Sequence, residues 1–193
     1  MSNLELSEQE LIRRQSLQKL RDLGIDPYPA AKYDVNIHSD EIKAKYSYLK
    51  NEENATDFEV CIAGRLMSRR IMGSASFAEL QDSKGRIQLY LNRDGICPSE
   101  DKTMYNEVFK KLLDIGDIIG VKGHVFRTKM GELSVKVQEL TVLCKSIKPL
   151  PIVKEKDGKV FDAFTDPEQR YRKRYVDLIV NPHIKEVFIK RTK

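Results

Sequence analysis

The chain has 193 residues, 40% hydrophobic and 33% charged, with a net charge of +5. That is room for one ordinary domain with flanking segments, and enough apolar content for a core. No apolar run reaches membrane length and none follows Met1, so neither a membrane span nor a signal peptide is expected, and the cytoplasm is the expected location. Cys61, Cys97 and Cys144 are far apart, as are His38, His124 and His183, which argues against a disulfide framework and a metal site.

Ser7 and Glu10 form an S-x-x-E capping pattern ahead of Leu11, Ile12, Leu17, Leu20 and Leu23, which space a helix that Gly24 stops. Asp26–Val35 (DPYPAAKYDV) is an extended linker, because each proline removes a donor and restricts its neighbour. A second helix is predicted from Ser39 to about Leu49, followed by a polar loop. From Phe58 the hydrophobic period changes to two. FEVCIAGRLMSRR is strand one, with Val60, Ile62, Gly64 and Leu66 on one face and Cys61, Ala63, Arg65 and Met67 on the other. Strands two and three are SASFAELQ and GRIQLYLNR, joined by the turn DSKG. DKTMYNEVFKKLLD is helical by the spacing of Met104, Val108, Leu112 and Leu113. Strand four is DIIGVKGHVFR and strand five LSVKVQELTVLC, in which a parity shift between Val137 and Leu140 predicts a bulge.

Three strands, a helix and two more strands give a mainly β protein with flanking helices, in the order of the five-stranded OB-fold Greek-key barrel with an N-terminal helical extension. The expected divisions are a helical extension over 1–54, a barrel over 55–148, and a linker with further helices over 149–193. In such barrels the loops joining strands one to two (RRIMGS) and four to five (TKMGE), with the face of strands two and three, hold nucleic acid.

Phe77 raises a question within that frame. Ala78 and Leu80 are the natural inward pair of strand two, so Phe77 points outward with Glu79 and Gln81. An outward ring costs hydration unless something covers it, and a stacked base would do so. Gln88 on strand three offers a donor and an acceptor for a base edge, and Arg65 has the outward parity on strand one with a rigid donor fork. A bulge near Gly73 would reverse the parity and make Phe77 ordinary core; the pattern alone leaves both open.

After Cys144 a Pro- and Lys-containing connector leads to TDPEQRYRKRYVDLIVN, a helix with an acidic cap, Pro167 in its first turn, and Tyr171, Tyr175, Leu178 and Ile179 on one face. Asn181-Pro182 ends it and opens an amphipathic run that stops without a C-terminal signal, as though cut inside a helix. Residues 170–193 carry eight Lys or Arg against Asp177 and Glu186, which fits a phosphate partner or a solvated helix face.

AGRLMSRRIMGSASFAELQDSKGRIQLYL, GDIIGVKGHVFRTKMGELSV and RYRKRYVDLIVNP together resemble bacterial class II lysyl-tRNA synthetases over nearly the whole chain. The resemblance implies the N-terminal anticodon-binding part of such an enzyme, in which Arg65, Phe77 and Gln88 recognise the middle uridine of the tRNA(Lys) anticodon and Glu132 adds to the site. It also implies an ATP- and Mg²⁺-dependent ligase, a cytoplasmic homodimer, whose adenylate-forming residues lie in a C-terminal class II catalytic domain; residues 149–193 would be the linker and the start of that domain, with the entry to its dimer helix at Pro182 to Lys193, and the rest of it has no counterpart here. No catalytic residue and no metal ligand is therefore assigned, and these 193 residues alone are expected to be inactive. Arg69 and Arg70 are candidate phosphate contacts, and Arg13, Arg14, Lys19 and Arg21 give the first helix a basic side.

Three other readings compete. Aspartyl- and asparaginyl-tRNA synthetases share the barrel and the middle uridine, but RYRKRYVDLI and the two-helix extension favour lysine. A stand-alone single-strand binding module predicts several exposed aromatics, and only Phe77 and Tyr90 qualify. A protein-contact scaffold leaves Arg65, Phe77 and Gln88 unexplained.

Overall fold

The structure is a computed structural model that describes residues 6–151, 154–156, 159–161 and 164–193. The chain divides into two compact units, Met1–Lys148 and Pro149–Lys193.

In the first unit, five strands close into a barrel in the order β1-β2-β3-β5-β4: β1 Asn54–Met72, β2 Ala75–Gln81, β3 Arg86–Asn92, β4 Ile118–Arg127 and β5 Leu133–Cys144. The fold class and the strand order are those read from the alternation. Val60, Ile62, Leu66, Leu80, Leu89, Val121 and Val135 point inward and are fully buried or nearly so. β3 and β5 pair in parallel and close the ring; the other four pairings are antiparallel. The register of β4 against β5 slips between Lys122↔Glu139 and Gly123↔Val137, which is the bulge expected after Val137. Gly123 sits at that slip, where a Cβ would come within 2.0 Å of the Lys136 carbonyl oxygen.

Between β3 and β4 lie the short α3 (Arg93–Ile96) and a π-helix, Met104–Leu112. The π-helix buries Tyr105, Val108, Phe109 and Leu112, and its last bond runs from Leu113 N to Val108 O, five residues back. The wider coil puts both Val108 and Phe109 on the core side; the sequence spacing predicts a helix but not this pitch.

The extension is part of the same unit. α1 (Glu8–Asp22) carries the expected capping box, Ser7 with Glu10, and packs on the π-helix. Arg13, 6% exposed, reaches from α1 to the carbonyls of Ser146 (3.1 Å), Lys148 (3.4 Å) and Ile115 (3.0 Å). The basic side expected of α1 therefore loses Arg13, which is turned into the fold. The linker is extended as predicted and lies against the barrel: Asn36 N donates to Cys61 O, and Cys61 N donates back to Asn36 Oδ1. α2 covers Ser39–Lys45, ending short of Leu49.

A buried ionic knot joins linker to barrel. Lys145, its side chain without exposure, places Nζ 2.8 Å from Asp117 Oδ2 and 2.5 Å from Asp114 Oδ2. Asp117 also accepts from Asp114 N and Ser146 N, both at 2.7 Å. Burial pushes the Asp117 carboxyl above the usual carboxylate range, against the pull of the Lys145 ammonium. On the linker side Lys145 N donates to Pro27 O, and the Tyr28 hydroxyl donates to Lys145 O.

In the second unit the connector holds an antiparallel pair, β6 (Lys154–Lys156) with β7 (Lys159–Phe161). The single helix predicted over 166–181 is broken into α4 (Pro167–Arg172) and α5 (Arg174–Val180), followed by α6 (Pro182–Thr192). The expected tyrosine face is not the buried one: Tyr171 is 75% and Tyr175 62% exposed, while Val176 and Asp177 are buried. Asp177 accepts from Arg170 Nε at 3.0 Å, from Asn181 Nδ2 at 2.7 Å and from Arg174. Burial pushes its carboxyl up, but these donors outweigh it and hold it below the ordinary range. The basic RYRKR segment is thus partly neutralised inside its own unit.

Candidate nucleic-acid interface

An open cleft of about 730 Å³ lies on the outer face of β2 and β3, walled on one side by the β4–β5 loop and on another by α2. Phe77, Glu79, Arg86 and Gln88 form its floor, Thr128, Met130 and Glu132 the loop wall, and Lys43 the helical wall. Arg70 and Ser68 complete it from β1.

Phe77 is on this outer face because β2 runs without a bulge, alternating half-buried and buried along its whole length. The reversal near Gly73 does not occur. The ring packs on Tyr90, its register partner, with centroids 5.3 Å apart, and Tyr90 makes an edge contact with Phe126 at 5.7 Å. One side of Phe77 is thus supported by a short aromatic ladder while the ring still lines the cleft. Gln88 lies opposite Glu79 on β3, and its Oε1 accepts from Ser134 Oγ at 2.8 Å. That bond orients the amide so that its NH₂ remains to donate. Glu132 stands on the loop wall, whose turn is closed by Thr128 N to Glu132 O (2.9 Å) and by Gly131 with φ 87°.

The structure brings Phe77, Gln88 and Glu132 together, but not Arg65. Arg65 pairs with Gln81, and its Nη1 donates to the Gly116 carbonyl at 2.6 Å, away from the cleft. It pairs four positions along β2 from Phe77, and a bulge in β1 decides which arginine does lie there: Leu66 pairs with Leu80, and the next pairing is Ser68 with Glu79. Beyond Met67 the even-numbered residues face outward, so Arg70 falls directly beside Phe77. The expected β1–β2 loop is also shorter than predicted, because β1 continues to Met72 and only Gly73 and Ser74 turn. Arg70 is exposed, lines the cleft and has no partner among the described residues.

Arg69 has the opposite parity and a different occupation. Its Nη1 donates to Phe109 O (2.5 Å) and Leu113 O (2.7 Å), holding the end of the π-helix. Burial lowers its pKa, and nearby Asp114 and Asp117 oppose that shift. Of the two arginines expected to touch phosphate, the structure leaves Arg70 free to do so and commits Arg69 to the fold.

Thr128 and Met130 line the cleft from the TKMGE loop expected to hold nucleic acid, whereas Lys43 lines it without having been singled out in the sequence, since its helix was assigned to a separate extension.

Residues 60–143 match the OB-fold nucleic acid binding domain family. The barrel has the OB fold. The chain is also 66% identical over its full length to the lysine–tRNA ligase of Porphyromonas gingivalis, of which it covers 33%. It is 58% identical over 97% of its length to that of Azobacteroides pseudotrichonymphae and 56% over 98% to that of Christiangramia forsetii, covering 37% and 32% of them. The resemblance to lysine–tRNA ligases seen in the motifs therefore holds along the whole chain, which spans about a third of the length of these relatives. Among the described residues no helix is long and apolar enough to cross a membrane.

Proposed function

We propose that this chain is the anticodon-binding region of a lysine–tRNA ligase, and that the cleft holds the middle uridine of the tRNA(Lys) anticodon. The observation that carries the reading is a half-buried, outward Phe77 beside an oriented Gln88 amide, in an OB barrel whose relatives are named lysine–tRNA ligases. A base stacks on Phe77, and the Gln88 NH₂ donates to the O4 acceptor of uridine. Cytidine presents an amino donor at that position, so two donors would meet. Glu132 adds an acceptor at the loop wall. Arg70 takes the place beside Phe77 for which Arg65 was expected, and its fork suits a phosphate or a base acceptor. The aspartyl and asparaginyl alternatives are disfavoured by the names of the relatives, and the stand-alone module by the length over which the chain matches them.

With the whole ligase come ATP-dependent attachment of lysine to tRNA, Mg²⁺, a homodimer and a cytoplasmic setting. Among the described residues no three His, Cys, Asp or Glu side chains are grouped to hold a metal ion. The residues present do not fit that ion, and no step of adenylate formation is assigned to them.

The test is Phe77→Ala in this chain, read by binding to a stem-loop with the lysine anticodon and by the melting midpoint. The stack is worth about 1–3 kcal/mol of binding, roughly a 5- to 150-fold loss. Fold stability should change far less than the ~3–5 kcal/mol that truncation of a core Phe costs. A large drop in melting temperature with wild-type affinity would refute the stacking role.

A further inference from the structure

One wall of the cleft does not belong to the barrel. α2 comes from the N-terminal extension, and it is fixed in place by three contacts. At its start, Ser39 donates from N (2.7 Å) and Oγ (2.8 Å) to the Asp82 carboxylate in the β2–β3 turn. Beneath it, Ile42 and Tyr46 are fully buried in the core. Beyond its end, Arg127 donates through Nε to Leu49 O (2.6 Å) and through Nη2 to Ser47 O (3.1 Å), while its Nη1 donates to Gly131 O at 2.7 Å. One guanidinium thus ties the segment after α2 to the β4–β5 loop, so the two walls are set relative to each other.

From this fixed helix Lys43 lines the cleft. It is exposed and makes no hydrogen bond or ion pair among the described residues. Its neighbour Lys45 is committed elsewhere, over the Phe58 ring at 4.4 Å. On the floor, Arg86 is paired with Glu79 at 3.1 Å and bonded to Gln81 at 2.8 Å. Lys43 and Arg70 are therefore the cations of the cleft that no protein carboxylate neutralises among the described residues. They reach it from different elements: Arg70 from β1, opposite Phe77, and Lys43 from α2, whose start is anchored at Asp82 just beyond the other end of β2.

Resting on the anticodon reading above, we infer that Lys43 is a phosphate anchor for the nucleotide flanking the one stacked on Phe77, so that the N-terminal extension is a working part of the RNA site. A flexible ammonium on a rigid helix is suited to a phosphate, a point charge without edge geometry. Phosphate contacts fix the position of a strand and carry no sequence information.

The experiment titrates this 193-residue chain, as wild type, Lys43→Ala, Lys43→Arg and Phe77→Ala, with a stem-loop carrying the lysine anticodon. A second stem-loop has cytidine as the middle base, and each titration is repeated over a range of KCl. Lys43→Ala should lower affinity about fivefold near low salt, the worth of one exposed charge contact, and by the same factor for both loops. It should also reduce the slope of log affinity against log salt by about 0.7, one counterion on a single strand. Lys43→Arg should restore both. Wild-type affinity and slope in Lys43→Ala, with Phe77→Ala weakened, would overturn the anchor and leave the anticodon reading standing. A loss confined to the uridine loop would overturn it too, by making Lys43 a base reader. If wild type treats the two loops alike while Lys43→Ala still loses slope, the anchor stands and the uridine reading falls. No binding by wild type overturns both.

Discussion

Replacing Lys145 with Met should cost the barrel unit about 3–5 kcal/mol at neutral pH, because it leaves a buried carboxylate without its counter-charge. Lys145 has no side-chain exposure, and its ammonium lies 2.5 Å and 2.8 Å from Asp114 and Asp117, the latter also fully buried. Met preserves the length and apolar stem of the side chain, so little of the loss comes from a cavity and most from the charge. The sign of the pH dependence follows. Burial already pushes the Asp117 carboxyl up, and the Lys145 ammonium opposes it. Without the ammonium the folded-state pKa rises further above the unfolded value near 3.9. A raised carboxyl penalises the folded state above its folded pKa, and the penalty fades as pH falls toward the unfolded value and the group takes up its proton. The deficit should therefore be greatest at neutral pH and shrink as pH falls through the raised folded pKa toward the unfolded value. Thermal melts of wild type and variant between about pH 4 and pH 8 measure it. At roughly 2–4 °C per kcal/mol for a chain of this size, the neutral-pH midpoint should drop by about 6–20 °C. A deficit below about 1 kcal/mol, or one that stays constant with pH, would show that the pair offsets only its own desolvation.

Other substitutions probe the parts that shape the cleft. Arg13→Met removes three bonds to backbone carbonyls and should destabilise by about 1.5–3 kcal/mol, with faster proteolysis after α1 and nearly unchanged RNA affinity. Gly123→Ala puts a Cβ 2.0 Å from the Lys136 carbonyl oxygen, which a strand can relieve only by moving; denaturant melts should show a loss of at least about 2 kcal/mol. Asp82 is pushed up by burial but held below the usual carboxylate range by donors from Ser39, Lys84 and Gly85. Its contribution is complete above the unfolded carboxyl pKa and is lost as pH falls through the lower folded value. Asp82→Asn should flatten that acid dependence and loosen α2, seen as faster hydrogen exchange at Ser39–Ile42.

The barrel was legible because its signals are short-ranged. Each strand buries one face, so alternation alone placed Val60, Leu80 and Leu89, and even the bulge after Val137 announced itself as a break in parity. What failed to show depends on partners distant in sequence. The π-pitch of residues 104–112 follows from two neighbours, Val108 and Phe109, being wanted by the same core. The break between α4 and α5 follows from Asp177 turning inward to meet Arg170, Arg174 and Asn181, a charge that a helical wheel assigns to solvent.

The cleft shows the same division in one strand. Phe77 and Gln88 were placed correctly on the outer face because β2 and β3 are regular and a period of two carries across seven residues. β1 is nineteen residues long, and against β2 it slips once, at Met67. Before the slip outward means odd numbers and after it even ones, so a parity counted from Val60 favours Arg65 and discards Arg70. Nothing in GRLMSRR marks the slip, because Met67 and Ser68 suit either face and three arginines are available. The decision is made across the sheet. Leu66 must meet Leu80 in the core and Arg69 must reach the π-helix carbonyls of Phe109 and Leu113; satisfying both needs one extra residue between them. The bulge that lets Arg69 hold the helix end is therefore the same feature that delivers Arg70 to Phe77. Fold and site share that residue of slack, and removing Met67 should move Arg70 off the cleft and release Arg69 from the helix together.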